Sequence, residues 1–135
     1  MTLRAPVLPI LTLLALPAGV AGCAASQNGA DPKSLQYGPV VVADLGDDLI
    51  QVKLSIRAPA TTQDITNMAE CNAAAYAKSQ GFGFTRHLRT NAYKEGGLWR
   101  ADAVYSVTSE LPRGLRPLDT KAVIAACAQN GIPMV

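Results

Sequence analysis

Leu49–Arg57 reads LIQVKLSIR, in which Ile50, Val52, Leu54 and Ile56 alternate with Gln51, Lys53, Ser55 and Arg57. A period of two places one set on each side of a strand, so this segment buries one face and wets the other. A sheet covered on one side satisfies such a strand. The rest of the chain has to supply that cover.

Two helical segments are candidates for it. Pro59 ends the strand region, and Thr61 or Thr62 can cap a helix running to about Gln80, with Asp64 in the first turn and Gly81 as terminator. Ile65, Met68, Asn72, Ala75, Tyr76 and Ser79 fall on one side of it, with Cys71 at the edge. Phe82–Asn91 and Leu98–Thr108 read as strands joined by a Lys94-Glu95-Gly96-Gly97 turn. In the second of these, Trp99, Ala101, Ala103, Tyr105 and Val107 share a face. Leu111–Pro117 is a proline-punctuated loop, after which Asp119 or Thr120 caps a last helix to about Asn130, closed by Gly131 and Pro133. Val123, Ala126 and Cys127 form its inner stripe. Gly46-Asp47-Asp48 is a turn ahead of Leu49, which leaves room for an extra leading strand at Val40–Ala43. The fold class expected is α+β, a small two-layer sandwich of order β-α-β-β-α with both helices on one sheet face.

The N-terminus has a different character. Met1–Arg4 carries one positive charge, Val7–Leu16 is almost wholly apolar, and Pro17–Gly22 is small or turn-forming. Spanning a bilayer takes roughly 20 apolar residues, so this short run reads as a signal peptide over residues 1–22. Pro6, Pro9 and Pro17 argue against a core helix. Val20-Ala21-Gly22-Cys23 resembles the lipobox of bacterial lipoproteins. That resemblance implies cleavage before Cys23, lipidation of its thiol, acylation of the new amino group and attachment to a membrane through the acyl chains. Each buried methylene contributes about 0.8 kcal/mol, so two or three chains anchor firmly. Ala24, where Asp would favour inner-membrane retention, points by the family's sorting habit to the outer membrane, facing the periplasm. Ala24–Pro39 is polar and small, a flexible tether that completes a segment 23–39. Residues 40–135 then make one periplasmic domain.

Beyond Cys23 the chain has two cysteines, Cys71 and Cys127. In an oxidising compartment the pair reads as a disulfide, and otherwise as two small buried apolar side chains. Asn72-Ala73-Ala74-Ala75 through Gly81-Phe82-Gly83-Phe84 resembles a stretch of small uncharacterised alphaproteobacterial lipoproteins, with Ala75 where those carry Glu. The resemblance implies the same two-layer fold and no known activity.

Motifs for chemistry are sparse. His87 has no serine nucleophile elbow or paired carboxylates near it in sequence, and reads first as a strand histidine. Asp44, Asp47 and Asp48 lack the ligand series of a calcium loop and suit a turn. Gly81-Phe82-Gly83-Phe84 lacks the lysine of a phosphate loop. No metal or cofactor is expected, and a formal net charge of +2 does not suggest a nucleic-acid partner. On the wet sheet face, Lys53, Arg57, His87, Arg89 and Arg100 line up if strand alternation is unbroken, with Asp102 among them. Such a surface suits an acidic envelope polymer or protein. Tyr37 and Trp99 are candidates to extend it, although Trp99 reads first as a core residue. The function expected is a lipid-anchored, non-catalytic binding or scaffolding module. The alternative is a small envelope hydrolase pairing His87 with a carboxylate such as Asp102, which needs the two within reach in a cleft.

Overall fold

The computed structural model describes residues 35–57, 59–114 and 116–135. The expected signal peptide, Cys23 and the expected tether up to residue 34 lie outside them. The described chain runs β1 (Gln36–Gly46), β2 (Leu49–Arg57), α1 (Thr62–Ser79), β3 (Phe84–Glu95), β4 (Leu98–Thr108), β5 (Leu118–Asp119) and α2 (Thr120–Gln129). The strands form one sheet in the order β1-β2-β4-β3-β5, antiparallel at each pairing. With its two helices this is a small α+β domain.

The alternation in β2 decides how the sheet is covered. Ile50, Val52, Leu54 and Ile56 are buried, and their β4 partners Tyr105, Ala103, Ala101 and Trp99 share that side. Against it lies α1, which buries Ile65, Met68, Ala69, Ala73 and Ala77. The inner side of α1 is thus turned from the expected stripe. Alanines face the sheet, and Ser79 is exposed. Apolar contrast on this helix is weak, so close approach to the sheet, not hydropathy alone, chooses its face.

Local signals set the helix ends. Thr61 caps α1 in a capping box: its Oγ1 accepts from the Asp64 N–H at 3.3 Å, while Asp64 Oδ2 accepts from the Thr61 N–H at 2.6 Å. Asp119 Oδ1 accepts from the Ala122 N–H at 3.0 Å and caps α2. The β3–β4 hairpin turns through Gly96 and Gly97, with φ of 56° and 76°. Positive φ at both central residues matches the twist of the flanking strands and favours glycine. Asp47 and Asp48 turn β1 into β2 with φ of 53° and 57°, a conformation that Asp tolerates better than most residues.

Three elements differ from expectation, the first being β3, which begins at Phe84 and continues to Glu95, so that Lys94 and Glu95 of the expected turn belong to the strand. The leading strand is full-length, so Gln36–Pro39, expected as tether, belongs to the sheet. Gly38-Pro39 looks like a strand breaker, but it falls at a register shift between Tyr37 and Val40 on an outer strand. Proline is tolerated there, and a Cβ on Gly38 would collide with Ser55 Oγ. The second addition is β5, only two residues long, which pairs with Phe84 and Thr85.

The last helix buries only Thr120 and Cys127, and Ala126 is exposed. It packs beside α1 and β5, so the expected inner stripe is narrower than drawn. Cys71 and Cys127 form a disulfide with a Cα–Cα distance of 5.9 Å. Nearby, buried Asn72 donates from Nδ2 to the Met68 carbonyl at 2.8 Å and the Pro133 carbonyl at 3.1 Å. Its Oδ1 accepts from the Val135 N–H at 2.9 Å. One side chain therefore ties the C-terminal segment to α1.

The bridge spans 56 residues of sequence, for which loop entropy gives a stabilisation of about 4 kcal/mol. Thermal melts with and without reductant should differ by a large drop in Tm, and an unchanged Tm would contradict this role. Asn72→Leu should cost about 1–3 kcal/mol by denaturant unfolding, since it strips partners from backbone groups at the C-terminus.

Candidate functional site

Residues that pair directly across strands share a face, so the ladder assigns each candidate side chain. On the side away from the helices, five rows cross β2, β4 and β3: Leu49–Ser106–Arg86, Gln51–Val104–Arg89, Lys53–Asp102–Asn91, Ser55–Arg100–Tyr93 and Arg57–Leu98–Glu95. Lys53, Arg57, Arg89 and Arg100 therefore occupy one surface, spread over three adjoining strands. Neighbouring strands lie about 4.8 Å apart, so the potentials of these cations overlap.

Asp102 sits among them. Its Oδ2 accepts from Gln51 Nε2 at 2.6 Å, and its Oδ1 lies 3.6 Å from Arg89 Nη1. Lys53 stands directly opposite on β2. Asp102 thus offsets part of the charge around it, while Lys53, Arg57, Arg89 and Arg100 all remain exposed. Arg86, which the sequence did not single out, pairs with Ser106 and joins the same side. Its guanidinium is tied to the Arg113 carbonyl at 3.1 Å.

His87 does not join this surface. It pairs with Tyr105 on the helix side, and the two rings meet edge to face with centroids 5.3 Å apart. The cause is a bulge: the register jumps between His87 and Arg89, so Leu88 has no partner on β4 and the alternation reverses. His87 and Asp102 consequently lie on opposite faces of the sheet, which rules out the pairing considered from sequence. The imidazole Nε2 instead lies 2.8 Å from Thr90 Oγ1. Tyr37 and Trp99 also belong to the helix side, packed against the core. Trp99 Nε1 donates to the Ala60 carbonyl at 3.0 Å.

A second feature, invisible in sequence, lies on the helix side at the outer edge of β3. There a groove of about 560 Å³ is bordered by Thr66, Glu70, Arg86, His87, Arg116 and Leu118. Glu70 is half-buried, and loss of solvent raises its pKa above the usual carboxylate range, an effect that His87 partly opposes. Tyr105 is fully buried, and its hydroxyl has no hydrogen-bond partner among the described residues. Burial, with a smaller contribution from the Glu70 charge, pushes its pKa well above the phenolic range, so the hydroxyl stays protonated.

No helix among the described residues is long and apolar enough to cross a membrane. Comparison with known proteins adds a family. The YNQ4 C-terminal domain matches residues 37–131. A relative from Paracoccus denitrificans, an alphaproteobacterium, is described as an uncharacterised 26.9 kDa protein in the nqo8 5′ region. It is 28% identical over 108 residues, covering 77% of this chain and 42% of that protein. The chain therefore spans less than half the length of the relative it matches. No solved structure matches it. Because the matched segment runs from the first strand through the last helix, the chain belongs to the YNQ4 C-terminal domain family.

Proposed function

We propose that this protein is a lipid-anchored module of the bacterial envelope, held by acyl chains on Cys23, that binds an acidic partner through its open sheet face. The observation that carries the reading is the gathering of Lys53, Arg57, Arg89 and Arg100 on the side of β2, β4 and β3 opposite the helices. A sheet face packed on no described helix can present those cations to an extended polyanion or an acidic protein surface. The row spacing supports contact at several points at once. Electrostatic binding of this kind steers encounter and depends on salt. The anchor rests on Val20-Ala21-Gly22-Cys23 following a short apolar segment. By the same pattern, with Ala24 next, the site of action is the periplasmic side of the outer membrane.

Arg57→Ser combined with Arg100→Ser leaves the Arg89–Asp102 pair intact and removes two exposed charges. Affinity for dextran sulfate, taken as a polyanion probe, should fall by roughly tenfold, equivalent to about 1.4 kcal/mol. Added salt should weaken binding by the native protein in the same direction, because interactions between exposed charges are screened beyond about 8 Å at physiological ionic strength and over shorter distances as salt rises. Tm should hardly move, since exposed charges contribute little to stability. Unchanged affinity would show that the face is only solvated.

For the anchor, detergent partitioning and intact mass are the measurements. Native protein should enter the detergent phase with acyl mass on an N-terminal Cys23, and Cys23→Ala should remain unprocessed or aqueous. An unmodified mature N-terminus at another residue would end the lipoprotein reading.

A further inference from the structure

β1 stands at one end of the sheet and pairs only with β2. The hydrogen-bonding groups along its outer side therefore meet no strand among the described residues. Such an edge is a template for another strand unless something blunts it. On β1 the blunting is confined to the ends. Register shifts fall between Tyr37 and Val40, where Pro39 sits, and between Asp44 and Gly46. Between them residues 40–44 pair with β2 without a break, from Val40↔Leu54 to Asp44↔Ile50.

The side chains of this run decide what can dock there. Residues 35–43 carry no charge, and residues 40–44 read VVVAD, rich in the β-branched side chains that suit a strand. Val41 shares a row with Lys53 on the open side and is 59% exposed. Val40 and Val42 turn to the helix side, where they are only half-buried against the core. Apolar surface is thus left on both faces of one edge, and a strand laid beside it would cover both. The opposite edge is built otherwise. β5 covers its first two residues, the bulge at Leu88 follows, and Arg89, Lys94 and Glu95 are exposed charges. Bulges and exposed charges keep an edge from pairing. Residues 40–43 have neither.

We infer that two copies of this chain join edge to edge by antiparallel pairing of their β1 strands, about a two-fold axis at Val42. In that register Val42 faces the partner's Val42, Val41 the partner's Ala43, and Val40 the partner's Asp44. All five residues of the unbroken run are used, and no like charges are set opposite one another. Because the contact is isologous it stops at a dimer, whereas β1 on β3 would run on into a fibre. Other occupants fit less well. Residues 24–34, just ahead in the chain, contain no β-branched or aromatic side chain to cover the valines. A charged peptide would find no opposite charge along residues 35–43. Five paired residues make a small interface, so the dimer is weak and depends on concentration. The axis runs through the sheet, so the open faces of the two copies lie on the same side. The pairing itself does not rest on what that face binds.

The test is sedimentation velocity of the full chain in detergent, with micelles in excess over protein. Monomer should give way to dimer as the concentration rises towards about 1 mM. Val41→Lys should weaken dimerisation roughly tenfold, equivalent to about 1.4 kcal/mol. Its Tm should hardly change, because the position is exposed. Val41→Glu should also weaken it, and an equimolar mixture of the two variants should restore it. Only the two-fold contact brings position 41 of each copy within about 8 Å of the other. Tyr93→Lys, at a position on β3 that is 57% exposed, should leave dimerisation as it is. Monomer at every concentration, species larger than a dimer, unchanged association in Val41→Lys, lost association in Tyr93→Lys, or no recovery in the mixture would each overturn the proposal. The native chain and Tyr93→Lys keep it falsifiable even where a variant at position 41 fails to fold.

Discussion

The contact on which the rest of the molecule depends is the approach of α1 to the middle of the sheet. Ala69, Ala73 and Ala77 recur at four-residue intervals on the helix, and Ala101 and Ala103 face it from β4. Small side chains on both surfaces bring helix and strand backbones close. Larger ones then fill the space around the seam: Ile50, Ile56, Ile65, Met68 and Tyr105 are all at most 2% exposed. Full burial of such a side chain is worth about 1.5–3 kcal/mol, so this shell supplies much of the driving force for folding. A larger residue in the seam would lift the helix and loosen every contact in that shell at once.

Covering one face only has a consequence for the other. With the apolar residues of β2 and β4 consumed by α1, the opposite face is free to carry charge, and Val104, buried between Gln51 and Arg89 in its row, is a local exception. The outer strands are managed by irregularity. β1 carries register shifts near both ends, and β3 carries one where its pairing with β5 has stopped. Bulges of this kind twist an edge away from further strand pairing. The bulge at Leu88 does more, because it sends His87 to the helix side and Arg89 to the open side. One unpaired residue thus parts His87, at the groove, from Arg89 on the basic surface, while Arg86 borders both.

Much of this architecture was legible because it is written in local terms. The period-two strand, the Thr61 and Asp119 caps, the Gly96-Gly97 hairpin and the five alternating residues of β4 each depend on neighbours a few positions away. What escaped depends on distant partners. Arg86-His87-Leu88-Arg89 contains no glycine or proline to mark a bulge, so simple alternation placed His87 with the arginines. Gly38-Pro39 carries breaker residues, but the register shift on β1 absorbs them. On α1, alanines score as weakly apolar in any orientation, so the face choice was left to tertiary packing. Glu70 had no signal at all, since its significance comes from β3 and the β4–β5 connection, which the chain reaches only later.

These separations also explain why the short C-terminal helix is fastened so firmly. With only Thr120 and Cys127 buried, α2 has too little apolar contact to hold its position by packing. The Cys71–Cys127 bridge and the Asn72 hydrogen bonds do that work from consecutive positions on α1. Glu70 precedes them directly and borders both the groove and a small cavity beside the disulfide, lined also by Asn67, Val123 and Ile132. At the other end of α2, Thr120 donates its backbone N–H to the Gly83 carbonyl at 3.0 Å, and Leu118 pairs with Thr85. Those contacts place the end of the β4–β5 connection, two residues beyond Arg116. The small helix is thus fastened at both ends, at one by the covalent bridge and at the other by the two-residue strand that precedes it. A domain with a one-sided core has few rigid places to build a site, and the junction where helix, edge strand and disulfide meet is one of them.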